Sequence, residues 1–131
     1  MLAADNVLAK GNLSNKDQEA IKVLVSELTG CDYCLAAHLM IGKSVGHKAE
    51  TLKALRAGQS TGDAKLNALA HFVRQLQQNA GTLAQAEVDA IRAAGYSDTQ
   101  LVDICLGIAV ITFTNLFNRI NDTVLDFPAA D

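Results

Sequence analysis

The chain has 131 residues, a formal net charge of −3, 50% hydrophobic residues and 5% aromatic ones. That length accommodates one domain with a real core, residues 1–131, and is short for two. No basic run is interleaved with aromatics, which argues against a nucleic-acid partner. The longest apolar run, Leu106 to Phe113, is too short to span a bilayer, and the N-terminus lacks the charged-then-apolar pattern of a secretory signal, so a cytoplasmic chain off the membrane is expected.

Ser14 and Asp17 form a capping-box-like start for a first helix. Ile21, Leu24, Val25 and Leu28 give that helix an apolar stripe, and Gly30 stands where a left-handed residue would end it. A second helix opens within Cys31-Asp-Tyr-Cys34 and runs to about Ser44. A third covers Lys48 to Ala57 and stops at Gly58. A fourth, Asp63 to about Asn79, carries Leu66, Leu69, Ala70, Val73 and Leu76. Thr82 and Gln85 frame a fifth, which stops at Gly95. Ser97 and Gln100 frame a sixth, about Asp98 to Asn121, which is apolar on most sides and therefore expected to be buried. The one proline, Pro128, lies in the tail. Alternating strand-like runs are missing, so the expected fold is all-α with about six helices.

Two of the three cysteines, Cys31 and Cys34, stand at the junction of the first two helices, with His38 one helical turn after the second. A sulfur at a helix N-terminus faces unpaired backbone N–H groups that favour negative charge, and the thiolate is the reactive form of cysteine. His38 would share a face with Cys34 and could take or return its proton. In a reducing compartment such a pair points to catalysis or metal binding rather than a structural staple. Zinc would need a further ligand. The spare Cys105 sits in the apolar sixth helix and reads as inert core. Haem attachment would need a histidine directly after the second cysteine, where Leu35 stands. An inert pair in a helical interaction module is the remaining alternative.

The stretch EAIKVLVSELTGCDYCLAAH, Glu19 to His38, resembles the core of the alkylhydroperoxidase D-like proteins of the carboxymuconolactone decarboxylase superfamily. The family pattern is a glutamate, eleven residues, then C-x-x-C-x-x-x-H, and Glu19, Cys31, Cys34 and His38 fit it. The segment from Ser97 to Asn121, with TNLFNRI near its end, is similar to the family's C-terminal core helix.

The resemblance implies an all-α bundle that assembles as a homotrimer or homohexamer. It implies reduction of hydroperoxides by the cysteine pair, which a dithiol, a disulfide protein or a lipoyl-type donor re-reduces, with no bound cofactor. By position, Cys34 attacks the peroxide, Cys31 resolves, and His38 with Glu19 relays protons. Tyr33 stands where some members carry a second histidine, and the decarboxylase branch generally lacks the cysteine pair, which leaves a decarboxylase-like lyase using His38 without the thiols as the less expected alternative. The spacing of Cys31 and Cys34 at a helix start also brings the sulfurs within reach of a reversible disulfide.

Read from its neighbours alone, Glu19 is a solvated helix charge, with Glu27 as a competing carboxylate closer to Cys31 in sequence. His47 and His71 read as surface histidines. Asn115, Asn118 and Asn121 recur at every third position of the last helix, as a subunit seam or a polar edge.

Overall fold

A computed structural model describes residues 2–80 and 82–130, so Met1, Gly81 and Asp131, two of them the outer ends of the expected domain, lie outside the described residues. Among these, seven helices and no strands occur: α1 (Leu2–Ala9), α2 (Asn15–Thr29), α3 (Asp32–Ser44), α4 (Ala49–Ala57), α5 (Ala64–Gln78), α6 (Gln85–Ala93) and α7 (Asp98–Ile120). The all-α expectation holds, with one helix more than the sequence suggested. The addition is α1, whose Leu8 is buried in the core and which packs on α7.

The centre of the bundle is α2, which contacts α3, α4, α5 and α7. Its start is set by Ser14, whose Oγ accepts the Asp17 N–H at 3.1 Å. The Asp17 side chain does not close a capping box; its Oδ2 accepts the Tyr96 hydroxyl at 2.9 Å, tying α2 to the turn before α7. Ile21, Val23, Leu24 and Val25 are at most 1% exposed. Burial on this scale stabilises by about 1.5–3 kcal/mol per side chain. Leu28, expected on the same stripe, is exposed because the stripe turns outward near the helix end.

Gly30 ends α2 at φ 71°, a left-handed conformation that glycine adopts without a Cβ penalty. Its N–H bonds the Glu27 carbonyl and that of Cys31 bonds the Ser26 carbonyl, so two otherwise unpaired carbonyls are satisfied within the turn. At the other end of the chain, Ser97 and Gln100 close a reciprocal capping box on α7. The pairing expected of Thr82 and Gln85 does not form; α6 starts behind Ala84 with no side-chain cap.

The helix α7 is less enclosed than its composition suggested. Ile104, Val110 and Ile111 are buried, while Val102, Phe113, Leu116, Phe117 and Ile120 are exposed. One face meets α1, α2 and α3, while the other carries these exposed apolar side chains among the described residues. Its 23 residues include an 18-residue stretch with a mean hydropathy of 1.7, long and apolar enough to cross a membrane by length and composition, and a third of that stretch is buried in the protein. The run Leu106–Phe113 understated that length because the helix continues on both sides of it, through Thr114 and Asn115 at its C-terminal end. After α7 the tail folds back, and the Phe127 ring packs against Tyr33 with centroids 4.9 Å apart.

Candidate functional site

The turn between α2 and α3 places both cysteines. Cys31 is the N-cap of α3, and its Sγ accepts the Cys34 N–H at 3.3 Å. The two residues are 2% and 3% exposed and joined as a disulfide, with Cα atoms 5.3 Å apart. The expected pairing is therefore the one found. On reduction, each sulfur is left at the first turn of α3, where unpaired N–H groups and the helix dipole favour a thiolate.

Glu19 lies on α2, deep in the bundle rather than in solvent. The reading from its polar neighbour fails because α2 is packed on several sides; Gln18 and Ser26 are buried with it. Its Oε2 is 2.8 Å from His38 Nδ1, and its Oε1 is 3.4 Å from Lys22 Nζ. Burial alone would raise the carboxyl pKa, but the hydrogen bond and charge of His38, with the Lys22 ammonium, outweigh it and leave the value below the ordinary 4.5. An ionised Glu19 holds the proton of the neutral imidazole on Nδ1, which leaves Nε2 as the acceptor. His38 is one turn beyond Cys34 on α3. The motif residues Glu19, Cys31, Cys34 and His38 thus come together from two adjoining helices.

Glu27 belongs elsewhere. Its Oε2 accepts from Arg56 Nε at 2.7 Å, on the side of α2 that faces α4.

From α7 come contacts that the sequence did not single out as part of the site. The Thr114 carbonyl oxygen is 3.8 Å from Cys34 Sγ, and Asn118 Nδ2 is 3.5 Å from it. The same Nδ2 donates to the Thr114 carbonyl at 2.9 Å, and Asn118 Oδ1 accepts the Thr123 hydroxyl at 2.8 Å. The three regularly spaced asparagines have different surroundings. Asn115 is fully buried, donating to Ser26 Oγ at 3.1 Å and accepting from Thr29 Oγ1 at 2.7 Å. Asn118 meets the disulfide, and Asn121 is the exposed cap of α7. The sequence showed the period but not which of the three faced the cysteines.

Two other expectations are corrected. Cys105 is exposed rather than core, because it falls on the outward face of α7. His47 is buried, with Nε2 2.7 Å from the Lys16 carbonyl, because the loop after α3 folds over the start of α2. His71 is exposed as expected and lies 2.8 Å from Glu87. Among the described residues no three His, Cys, Asp or Glu side chains are grouped to hold a metal.

A cavity of 740 Å³ is lined by Lys16, Asp17, His47, Lys48, Lys65 and Tyr96 among others, and by neither cysteine. A smaller one of 370 Å³ adjoins the α2–α3 turn at Gly30, Asp32 and Leu35, with Leu125, Ala129 and Ala130 of the tail on its far side.

Residues 1–78 match the carboxymuconolactone decarboxylase family. No curated protein matches the chain significantly. Among solved structures, a protein of unknown function from Agrobacterium tumefaciens, named as a candidate antioxidant defence protein AhpD, superposes with a TM-score of 0.87 at 20% identity, covering 97% of this chain and 88% of its own. An uncharacterised peroxidase-related protein from Silicibacter sp. superposes with a TM-score of 0.80 at 21% identity, covering 98% of this chain and 68% of its own. At such identities the likeness establishes a shared fold.

Proposed function

The chain belongs to the carboxymuconolactone decarboxylase family, and from that premise we propose that it is a thiol-dependent peroxidase that reduces hydroperoxides through Cys34 and Cys31. The observation that carries the reading is a reducible pair, Cys31–Cys34, whose second cysteine stands one turn from a histidine held by a buried, ionised carboxylate. The names of the two structural neighbours, one tied to antioxidant defence and one to peroxidases, point the same way.

In the reduced protein, His38 takes the Cys34 proton at Nε2, and Glu19 stabilises the imidazolium. The Cys34 thiolate attacks the distal oxygen of ROOH. The S–O bond forms as the O–O bond breaks, and the alkoxide leaves as ROH with the proton returned by His38. Cys34 is then a sulfenic acid. Cys31 gives up its thiol proton and attacks Cys34 Sγ as thiolate; the S–S bond forms, the S–O bond breaks, and the leaving hydroxide takes that proton and departs as water. An external dithiol, either a small lipoyl-type molecule or a protein, restores both thiols and becomes a disulfide itself. A cytoplasmic setting supplies such donors.

The proposed assembly is a homotrimer or homohexamer, supported by the apolar face of α7 that stays exposed among the described residues. A second reading exchanges the two cysteines, and one observation favours it: Cys31 Sγ, not Cys34 Sγ, accepts the N–H at the helix start.

The test is peroxide consumption driven by a dithiol donor. Turnover is expected in the wild type and is lost in Cys34→Ser. Cys31→Ser should give one turnover and a trappable sulfenic acid on Cys34. A trappable sulfenic acid on Cys31 in the Cys34→Ser variant would establish the exchanged assignment. No peroxide consumption, with disulfide exchange retained, would make the chain a disulfide reductase. Loss of neither thiol on exposure to peroxide, with no disulfide exchange either, would leave a lyase acting through His38 without the thiols, or a helical module whose cysteine pair binds zinc or is inert.

A further inference from the structure

We infer that Asn118 is a catalytic hydrogen-bond donor to the Cys34 thiolate, held in its donating orientation by Thr114 and Thr123. The inference deepens the peroxidase reading and rests on Cys34 being the attacking cysteine.

The argument starts from the orientation of the carboxamide. Its two ends differ only in being oxygen or NH₂, so the partners must decide which is which. The Thr114 carbonyl can only accept, and it lies 2.9 Å from one end. That end must therefore be the NH₂ group. The other end is then Oδ1, and the Thr123 hydroxyl donates to it at 2.8 Å. One N–H is used by Thr114. The second N–H belongs to the same Nδ2, which lies 3.5 Å from Cys34 Sγ.

In the disulfide this is a weak contact, because a neutral sulfur is a poor acceptor. When the pair is reduced and Cys34 loses its proton, the same N–H faces a full negative charge. Hydrogen bonds to charged groups are markedly stronger than neutral ones. The donor is aligned beforehand by Thr114 and Thr123, so no reorganisation is needed as charge develops. His38 removes the proton and Asn118 stabilises what remains. Thr123 acts only through Asn118 and is a positioning residue.

The donor also bears on the choice between the two cysteines. Cys31 has the Cys34 N–H as a donor, and Cys34 has a side chain brought from α7. Both sulfurs therefore have a stabilising contact, as a pair that alternates nucleophile and leaving group requires.

The experiment uses the full chain with Cys31→Ser and Cys105→Ser, so that Cys34 is the one thiol. Its pKa is read from the ultraviolet absorbance of the thiolate and from the pH dependence of alkylation. Peroxide reactivity is read as the rate of the single turnover. Asn118→Leu should raise the thiol pKa by about one unit, which is tenfold less thiolate well below the pKa. Asn118→Asp should raise it further by placing a like charge beside the sulfur. Thr123→Val, at the half-buried outer end of the network, should move it in the same direction by less. A merely structural role for Asn118 would lower the melting temperature and leave the thiol pKa unmoved. An unchanged pKa in folded Asn118→Leu overturns the inference. If that variant does not fold, a wild-type pKa in Thr123→Val overturns it. A raised pKa in protein that consumes no peroxide upholds the thiolate contact and fails the peroxidase reading instead.

Discussion

Replacing Asn115 by alanine probes the join between the relay helices and α7. Asn115 is fully buried, as is Ser26, whose hydroxyl accepts the Asn115 N–H at 3.1 Å. Thr29 donates to the other end of the amide at 2.7 Å and also lies 3.4 Å from the Ser26 carbonyl. Alanine removes both hydrogen bonds, each with a net value of about 1 kcal/mol. It also strands the Ser26 hydroxyl away from water, at a cost of about 1–3 kcal/mol. Thr29 keeps its second contact and adds little. Asn115→Ala should therefore lose about 3–5 kcal/mol, a large share of the stability of a domain this size. Urea unfolding at fixed protein concentration measures it, as a lower midpoint with an unchanged slope. In a double-mutant cycle, Ser26→Ala should recover about 1 kcal/mol, because the second change removes the stranded partner. A loss below about 1 kcal/mol, or strictly additive single effects, would refute the reasoning.

Three further outcomes follow from the same geometry. His38→Ala and Glu19→Gln should each slow peroxide reduction by about 10²–10⁴-fold, while Glu27→Gln, which loses only its Arg56 partner, should leave the rate within about twofold of wild type in steady-state assays. The Glu19 carboxyl is held below its ordinary 4.5, so its ionised form contributes stability that is complete above that value and fades as the pH falls through the folded pKa; the wild-type advantage over Glu19→Gln in unfolding free energy should shrink between neutral pH and about pH 3, and an unchanged gap contradicts the pairing. Light scattering at micromolar concentration should give a trimer or hexamer of the 13.9 kDa chain, reduced toward the monomer by Phe117→Glu on the exposed face of α7, and a monomeric wild type would remove the basis for an assembly.

Much of this architecture was legible because its signals are local. Ser97 with Gln100, Ser14 before α2, and Gly30 and Gly58 after their helices each act within a few residues of themselves. The cysteine pair and His38 were legible for the same reason. What failed was the choice of face. Helix α1 has little contrast between its sides, so its burial through Leu8 is a tertiary fact. Cys105 and Ile104 are adjacent, yet one is exposed and the other fully buried, and composition treats them alike. Glu19 was recognised by the spacing of the motif, whereas its burial depends on four helices closing around α2. Asn118 could not be read as a partner of Cys34, because only the docking of α7 brings the two together.

The site has one part that is near in sequence and one that is far. Glu19 and His38 are 19 residues apart, within a hairpin of two helices, whereas Asn118 and Cys34 are separated by 84. On a ribosome the hairpin emerges well before α7 has been made, and it can close its ion pair while the cysteines still lack their distant neighbour. Only the finished fold brings Asn118 to Cys34, so under the donor role proposed above an incomplete or partly unfolded chain would carry a blunter nucleophile than the native protein.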